Sequence, residues 1–202
     1  RTSASDAGII TATLPAVAAV LSVLFLGDRL KRLQWGAIAL AVAGLVMVQA
    51  RAGDASQPTL MGNLLVMGAV LCEAGFVILG KRLAPPYRPF RLSLGANLVG
   101  LVLSLPLMLA EGRAHELLSL PPTTFIAASW YVLSASVLSL WLWYRGLPHV
   151  PAWLAGLATA ALPISALCVS YLVLGESLDA LRIVGAMCVL ASIAVAALTT
   201  RR

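Results

Sequence analysis

Residues Gly8–Leu30 read GIITATLPAVAAVLSVLFLGDRL, and residues Gly156–Leu178 read GLATAALPISALCVSYLVLGESL. A shift of 148 positions aligns them without a gap over 23 residues, 11 of them identical. It pairs Gly8 with Gly156, Thr11 with Thr159, Leu14-Pro15 with Leu162-Pro163, Ser22 with Ser170, and Leu26-Gly27 with Leu174-Gly175. Asp28 then falls on Glu176 and Leu30 on Leu178. Two unrelated apolar segments would agree by chance at Leu and Ala. They would seldom also agree at Pro, Ser, Thr, two Gly and a terminal acid. The chain therefore contains an internal duplication, which sets its architecture.

The surroundings of both copies are strongly apolar. Of the 202 residues, 60% are hydrophobic and 11% charged, with a mean hydropathy of +0.95. A soluble domain carries roughly 25% charged residues, so too few charges are present to cover a water-facing surface, and the expected solvent is lipid. The net charge of +6 does not point to nucleic acid, because the cations sit in short clusters between apolar runs rather than along one polar face. Cys72, Cys168 and Cys188 fall inside apolar runs with no paired spacing and read as small buried residues, neither a disulfide nor a metal site.

Seven apolar runs are long enough to cross a bilayer as helices: Ala7–Leu26, Leu33–Val48, Leu60–Leu79, Leu92–Ala110, Phe125–Trp143, Trp153–Leu174 and Leu181–Leu198. None alternates polar and apolar at period two, and Gly and Ala recur throughout, as suits close helix packing in lipid. The expectation is an all-α, polytopic helical membrane bundle. The short connections are rich in proline, and no linker divides soluble domains.

The cations orient these helices. The connections starting at Gly27, Lys81 and Tyr144, together with the C-terminus, carry ten Lys and Arg, against four on the other side. The ten-residue side is expected to be cytoplasmic, with the C-terminus inside and Arg1 outside. The first copy then runs inward and ends in DRLKR, whereas the second runs outward and ends in ESLDA. The result is an inverted-topology repeat, the architecture of many secondary transporters.

A mid-run proline, about eleven residues to Leu-Gly-acid, a polar turn, then Gly in the next helix occurs twice, as P15…LGDRLKRLQWG36 and P163…LGESLDALRIVG185. This pattern resembles the EamA domain of the drug/metabolite transporter superfamily over essentially the whole chain. The resemblance implies a ten-helix carrier built from two inverted five-helix halves, moving small organic molecules across the inner membrane. The seven runs would be helices four to ten. Residues 1–50 would be the end of the first repeat, with two helices, and residues 60–200 the second, with five. The chain would then be the larger part of a longer parent.

Glu73, in VLCEAGF of the third run, is the first candidate for the chemistry. A charged carboxylate at mid-membrane costs roughly 2.5–3.5 kcal/mol on insertion scales, so it should face the bundle or a wet cavity, where it could exchange a proton during transport. Packing through a hydrogen bond to a neighbouring helix is the competing role. Along the fifth run Trp130, Ser134, Val137, Trp141 and Tyr144 follow helical spacing, and rings on that side could stack on an aromatic or cationic substrate. Trp141 is the deepest of the inner group, while Trp141, Trp143 and Tyr144 also suit an interfacial aromatic belt. Pro15 and Pro163 are expected to kink their helices and expose backbone on the substrate path. Thr11 and Thr159, one turn earlier, would re-satisfy the freed carbonyls or touch substrate. Asn97 would bond across helices or reach the cavity. Asp28 and Glu176 would end helices.

Neither a phosphate-binding glycine loop nor a hydrolase or metalloprotease motif occurs. No cofactor and no metal is expected, and transport would be gradient-driven. The reading is a secondary-active exporter of small metabolites, amino acids or drugs, with the lipid bilayer, a small-molecule substrate and protons as partners, no nucleic acid, and a homodimer allowed. Two alternatives stand beside it: a non-transporting truncated membrane subunit, and an intramembrane enzyme using Glu73.

Overall fold

The computed structural model describes residues 4–49, 60–112, 121–175 and 179–200, and every regular element among them is helical. In order these are α1 (Ala4–Thr11), α2 (Leu14–Leu26), α3 (Arg32–Gln49), α4 (Leu60–Leu83), α5 (Pro89–Ala110), α6 (Pro122–Val132), a π-helical stretch (Leu133–Leu138), α7 (Ser139–Gly146), a 3-10 turn (Leu147–His149), α8 (Ala152–Ala158), α9 (Ala161–Leu174) and α10 (Ala180–Thr200). Joined across their breaks, they form seven helices long and apolar enough to span a membrane, one for each run of the sequence. The fold is the all-α polytopic bundle expected.

Both repeat copies are broken where continuous, kinked helices were expected. The first gives way between α1 and α2 at Ala12–Thr13, and the second between α8 and α9 at Thr159–Ala160. The prolines explain the position but do not sit at a kink. Pro15 lies in the first turn of α2, where a missing N–H costs nothing. Pro163 is likewise in the first turn of α9. The intervening backbone is held by tight bonds: Thr13 N–H donates to the Ile10 carbonyl (3.1 Å), and Ala160 N–H to that of Leu157 (3.1 Å). Each copy then ends on a glycine in the left-handed region. Gly27 (φ 72°) donates its N–H to the Ser22 carbonyl, and Gly175 (φ 68°) does the same to Ser170. The repeated Leu-Gly is a helix stop that an L side chain resists.

The chain forms two compact units. One comprises Arg1–Leu79 and Val150–Arg202, and so holds both copies. Within it α3 and α10 pack antiparallel: Gly44, late in α3, meets Gly185, early in α10, while Ala37, Ile38 and Ala41 share a buried cluster with Ala196 near the end of α10. The helices that follow the two copies thus run in opposite directions. The approach is close because glycine faces glycine, the usual way helices draw together in lipid. Gly156 of α8 is seated on Ala18 of α2. Val70 and Ala74 of α4 pack on Leu14 and Ala18.

The other unit is Gly80–His149. Its α5 runs beside the helix formed by α6, the π-helical stretch and α7. Gly80 admits Tyr144 and Leu147, which lie 3.3 Å and 3.2 Å from where a Cβ would stand. Lys81 Nζ donates to the carbonyls of Leu147 (2.9 Å) and Pro148 (3.0 Å), neutralising a helix C-terminus. The π-helical stretch corrects the expectation of one regular helix over Phe125–Trp143. Within it Ser139 N–H reaches back to the Ser134 carbonyl, and Asn97 Nδ2 donates to the Ser136 carbonyl (3.5 Å) as well as to that of Ser93 (2.9 Å).

Burial differs from what a water-soluble core would show. Cys72 and Cys168 are exposed and Cys188 half-buried, all three free, so the expectation that they are buried fails for two of them. On α5 only Ser93 is buried, and its leucines and valines face outward. In water so large an apolar surface would drive aggregation. Against acyl chains it carries no such penalty, so an apolar residue need not be buried by protein.

Candidate functional site

The two backbone breaks meet. A cavity of about 130 Å³ lies between them, lined by Thr11, Leu14 and Pro15 of the first copy and by Thr159, Leu162 and Pro163 of the second. These are three repeat-equivalent pairs, each separated by 148 positions. Leu45, Gln49, Glu73 and Ala160 complete the wall. Beneath it Ala12, Leu45, Val48, Ala160, Ile164 and Val189 form a buried cluster, so the breaks rest on a packed floor.

Glu73 reaches this cavity because α4 docks on α2 through Val70 and Ala74. Residues at i and i+3 share a helix face, which brings Glu73 beside Val70 and next to the docked turn. The carboxyl itself stays exposed at the rim. Among the described lining residues it is the one with a formal charge.

The threonines do not serve the carbonyls that proline leaves without a donor. Thr11 Oγ1 donates to the Gly8 carbonyl (3.0 Å) and Thr159 Oγ1 to that of Gly156 (2.7 Å), each one turn back. The Thr159 carbonyl instead accepts the Leu162 N–H (3.0 Å). A hydroxyl reaches the carbonyl of residue i−3 with little strain, whereas its own residue's carbonyl points away along the helix.

Gln49 is the lining residue that the sequence did not bring forward. At the end of an apolar run it reads as the start of a loop. In the structure it contacts both Gly8 and Thr11, with Oε1 3.3 Å from Thr11 Oγ1. Thr11 has a single hydroxyl hydrogen, already given to the shorter bond with Gly8. Gln49 Oε1 is the second acceptor within reach of that hydroxyl.

In the second unit, a cavity of about 470 Å³ is lined by Phe90, Ser93, Leu94, Asn97, Leu133, Val137, Leu138 and Trp141. Trp141 is half-buried, with the Arg145 guanidinium 5.3 Å from its ring centroid, a cation–π distance. The expected stripe does not survive as one face. Trp130 is 74% exposed and Tyr144 is buried to 5% against Gly80. Ser134 returns its hydroxyl to the Trp130 carbonyl (2.7 Å). None of these three lines the cavity. The π-helical stretch carries more residues per turn than an α-helix, so side chains on either side of it lose the common direction that regular spacing gave them. Asp28 lies just past Gly27, its N–H on the Ser22 carbonyl (3.3 Å), and Glu176 lies outside the described residues.

The uncharacterized transporter YetK of Bacillus subtilis is 30% identical to this chain over 195 residues, or 95% of the chain and 59% of YetK. A probable amino-acid metabolite efflux pump of Salmonella typhimurium is 25% identical over 180 residues, covering 86% of the chain and 60% of the pump. The chain thus spans about three fifths of the length of the curated relatives it matches. A solved crystal structure superposes with a TM-score of 0.70 over 98% of this chain and 68% of the other, at 16% identity, a likeness of fold. The model of the EamA-like transporter family matches residues 1–49 and 60–198. With seven bilayer-length helices and a duplicated, broken segment closing on a cavity, this multi-pass membrane protein belongs to the EamA-like transporter family.

Proposed function

We propose that the chain forms the larger part of a secondary-active carrier that exports small organic molecules by alternating access. Its parent would have ten helices in two inverted halves, residues 1–50 closing the first and residues 60–200 making the second. It would lie in the inner membrane with the C-terminus in the cytoplasm. One observation carries this reading: three repeat-equivalent pairs, Thr11/Thr159, Leu14/Leu162 and Pro15/Pro163, line a single cavity beside Glu73. Inverted carriers bind substrate at the interface of their repeats, where helices are interrupted. The antiparallel course of α3 and α10 supports the inversion. Export is favoured by the similarity to a protein named as an efflux pump.

On this reading Glu73 exchanges a proton with each cycle, and Trp141 and Asn97 contact ligand in the second unit. Two measurements test it. Glu73→Gln in the full-length parent, reconstituted in liposomes, is expected to abolish the dependence of flux on an imposed pH gradient, and unchanged dependence removes Glu73 from the coupling. Accessibility labelling of single cysteines at Arg29 and at Ala180 is expected to place them on opposite sides of the membrane. Labelling from the same side refutes the inversion and the carrier reading with it.

A further inference from the structure

We propose that the cavity between the repeat breaks selects small organic cations, in particular a protonated amine on a short apolar body. This rests on the carrier reading for its physiological role and on the cavity's own chemistry for its selectivity. The lining offers acceptors. Among the described lining residues Glu73 is the one acid, and none is Lys, Arg or His. Thr11 and Thr159 have each spent their hydroxyl hydrogen on a backbone carbonyl, so toward a ligand both present lone pairs only. Gln49, whose Oε1 accepts from Thr11 (3.3 Å), adds a neutral amide to the wall and no charge.

An ammonium group, with up to three donors and a positive charge, complements such a wall. A carboxylate would meet Glu73 with no cation among the described lining residues to offset it, and like charges at close range repel. The rest of the wall, from Leu14, Leu45, Leu162 and the proline rings, is apolar. The volume of about 130 Å³ limits the ligand, since an apolar cavity of about 150 Å³ holds benzene. The fitting ligand is therefore a compact amine, with its nitrogen at Glu73 and its carbon chain against the leucines.

The test compares n-butylammonium, n-butanol and butyrate, which share a carbon chain and differ in charge. Binding is measured by calorimetry on the full chain in lipid nanodiscs. Butylammonium is expected to bind at least tenfold more tightly than butanol, and butyrate more weakly than butanol. Glu73→Gln should reduce butylammonium to the level of butanol, with the helical circular dichroism signal as the check on folding, while Glu73→Asp retains the amine preference. Butyrate binding as well as butylammonium, no measurable butylammonium binding, or an amine preference that persists in Glu73→Gln each overturns the proposal. The carrier reading is judged separately, by flux through the full-length parent. Amine binding without flux overturns that reading and keeps the site, whereas flux that favours anions overturns the selectivity alone.

Discussion

Substituting Gly185 by Ala tests whether the α3–α10 crossing is as close as the structure has it. A Cβ at Gly185 would stand 2.6 Å from the Gly44 carbonyl oxygen, 2.8 Å from Met47 Cβ and 3.0 Å from Val48 Cγ2. Ordinary contact begins at 3.4 Å, so the helices must part by about 0.8 Å. The closest obstacle is backbone and cannot rotate away. Overpacking of this kind costs about 1–3 kcal/mol, against which alanine recovers about 0.5–1 kcal/mol of helix propensity. The net expectation is a loss of about 1–2 kcal/mol. Gly36, one turn or more from the crossing on α3, has nothing within 4 Å of its hypothetical Cβ. Gly36→Ala should therefore be neutral or stabilising by up to about 1 kcal/mol. Unfolding in mixed micelles, followed by tryptophan fluorescence, reads both. Gly44→Ala should resemble Gly185→Ala, and the double variant should cost less than the two together, because one separation of the helices relieves both clashes. Equal stability of Gly185→Ala and Gly36→Ala would refute the close crossing.

Three further expectations are read by the same unfolding assay. Gly27→Ala should destabilise by about 1–2 kcal/mol, because φ is 72° there, and Gly27→Asn by less, since Asn tolerates the left-handed region. Lys81→Met should cost about 1–3 kcal/mol, the loss of a cation bonded to the Leu147 and Pro148 carbonyls; a cost under the assay error would mean that water serves those carbonyls equally well. Asp179→Ala should cost about 1 kcal/mol by removing the Oδ1 that accepts the Arg182 N–H (2.8 Å) and caps α10. Asp179→Asn should fall between the two, because it keeps the cap but loses the charge 3.7 Å from the buried Arg182 Nε.

Much of this molecule could be read along the chain. Twenty-residue apolar runs leave helices as the open-ended way to satisfy a backbone in hydrocarbon, so seven spans followed from length and composition. The duplication marked the two prolines, the two threonines and the two glycine stops, because each answers a local backbone requirement that any copy must meet. Glu73 stood out because a carboxylate is costly in lipid. All of these are properties of a residue and its near neighbours.

What only the tertiary structure decided is which side of each helix meets protein. In water a polar face marks the outside of a helix. In lipid both faces are apolar, and spacing alone cannot tell a packed position from a bare one. Gly36 and Gly44 lie in the same apolar helix, yet only Gly44 is pressed against another helix. Gln49 looked like a loop boundary and proved to be part of the cavity wall. Trp130 shared a stripe with Trp141 until the π-helical stretch between them turned the helix. The sequence determined the segments, their breaks and their stops, because those depend on local backbone chemistry. The structure decided the partners, because close approach in lipid depends on shape, and shape exists only once the helices are brought together.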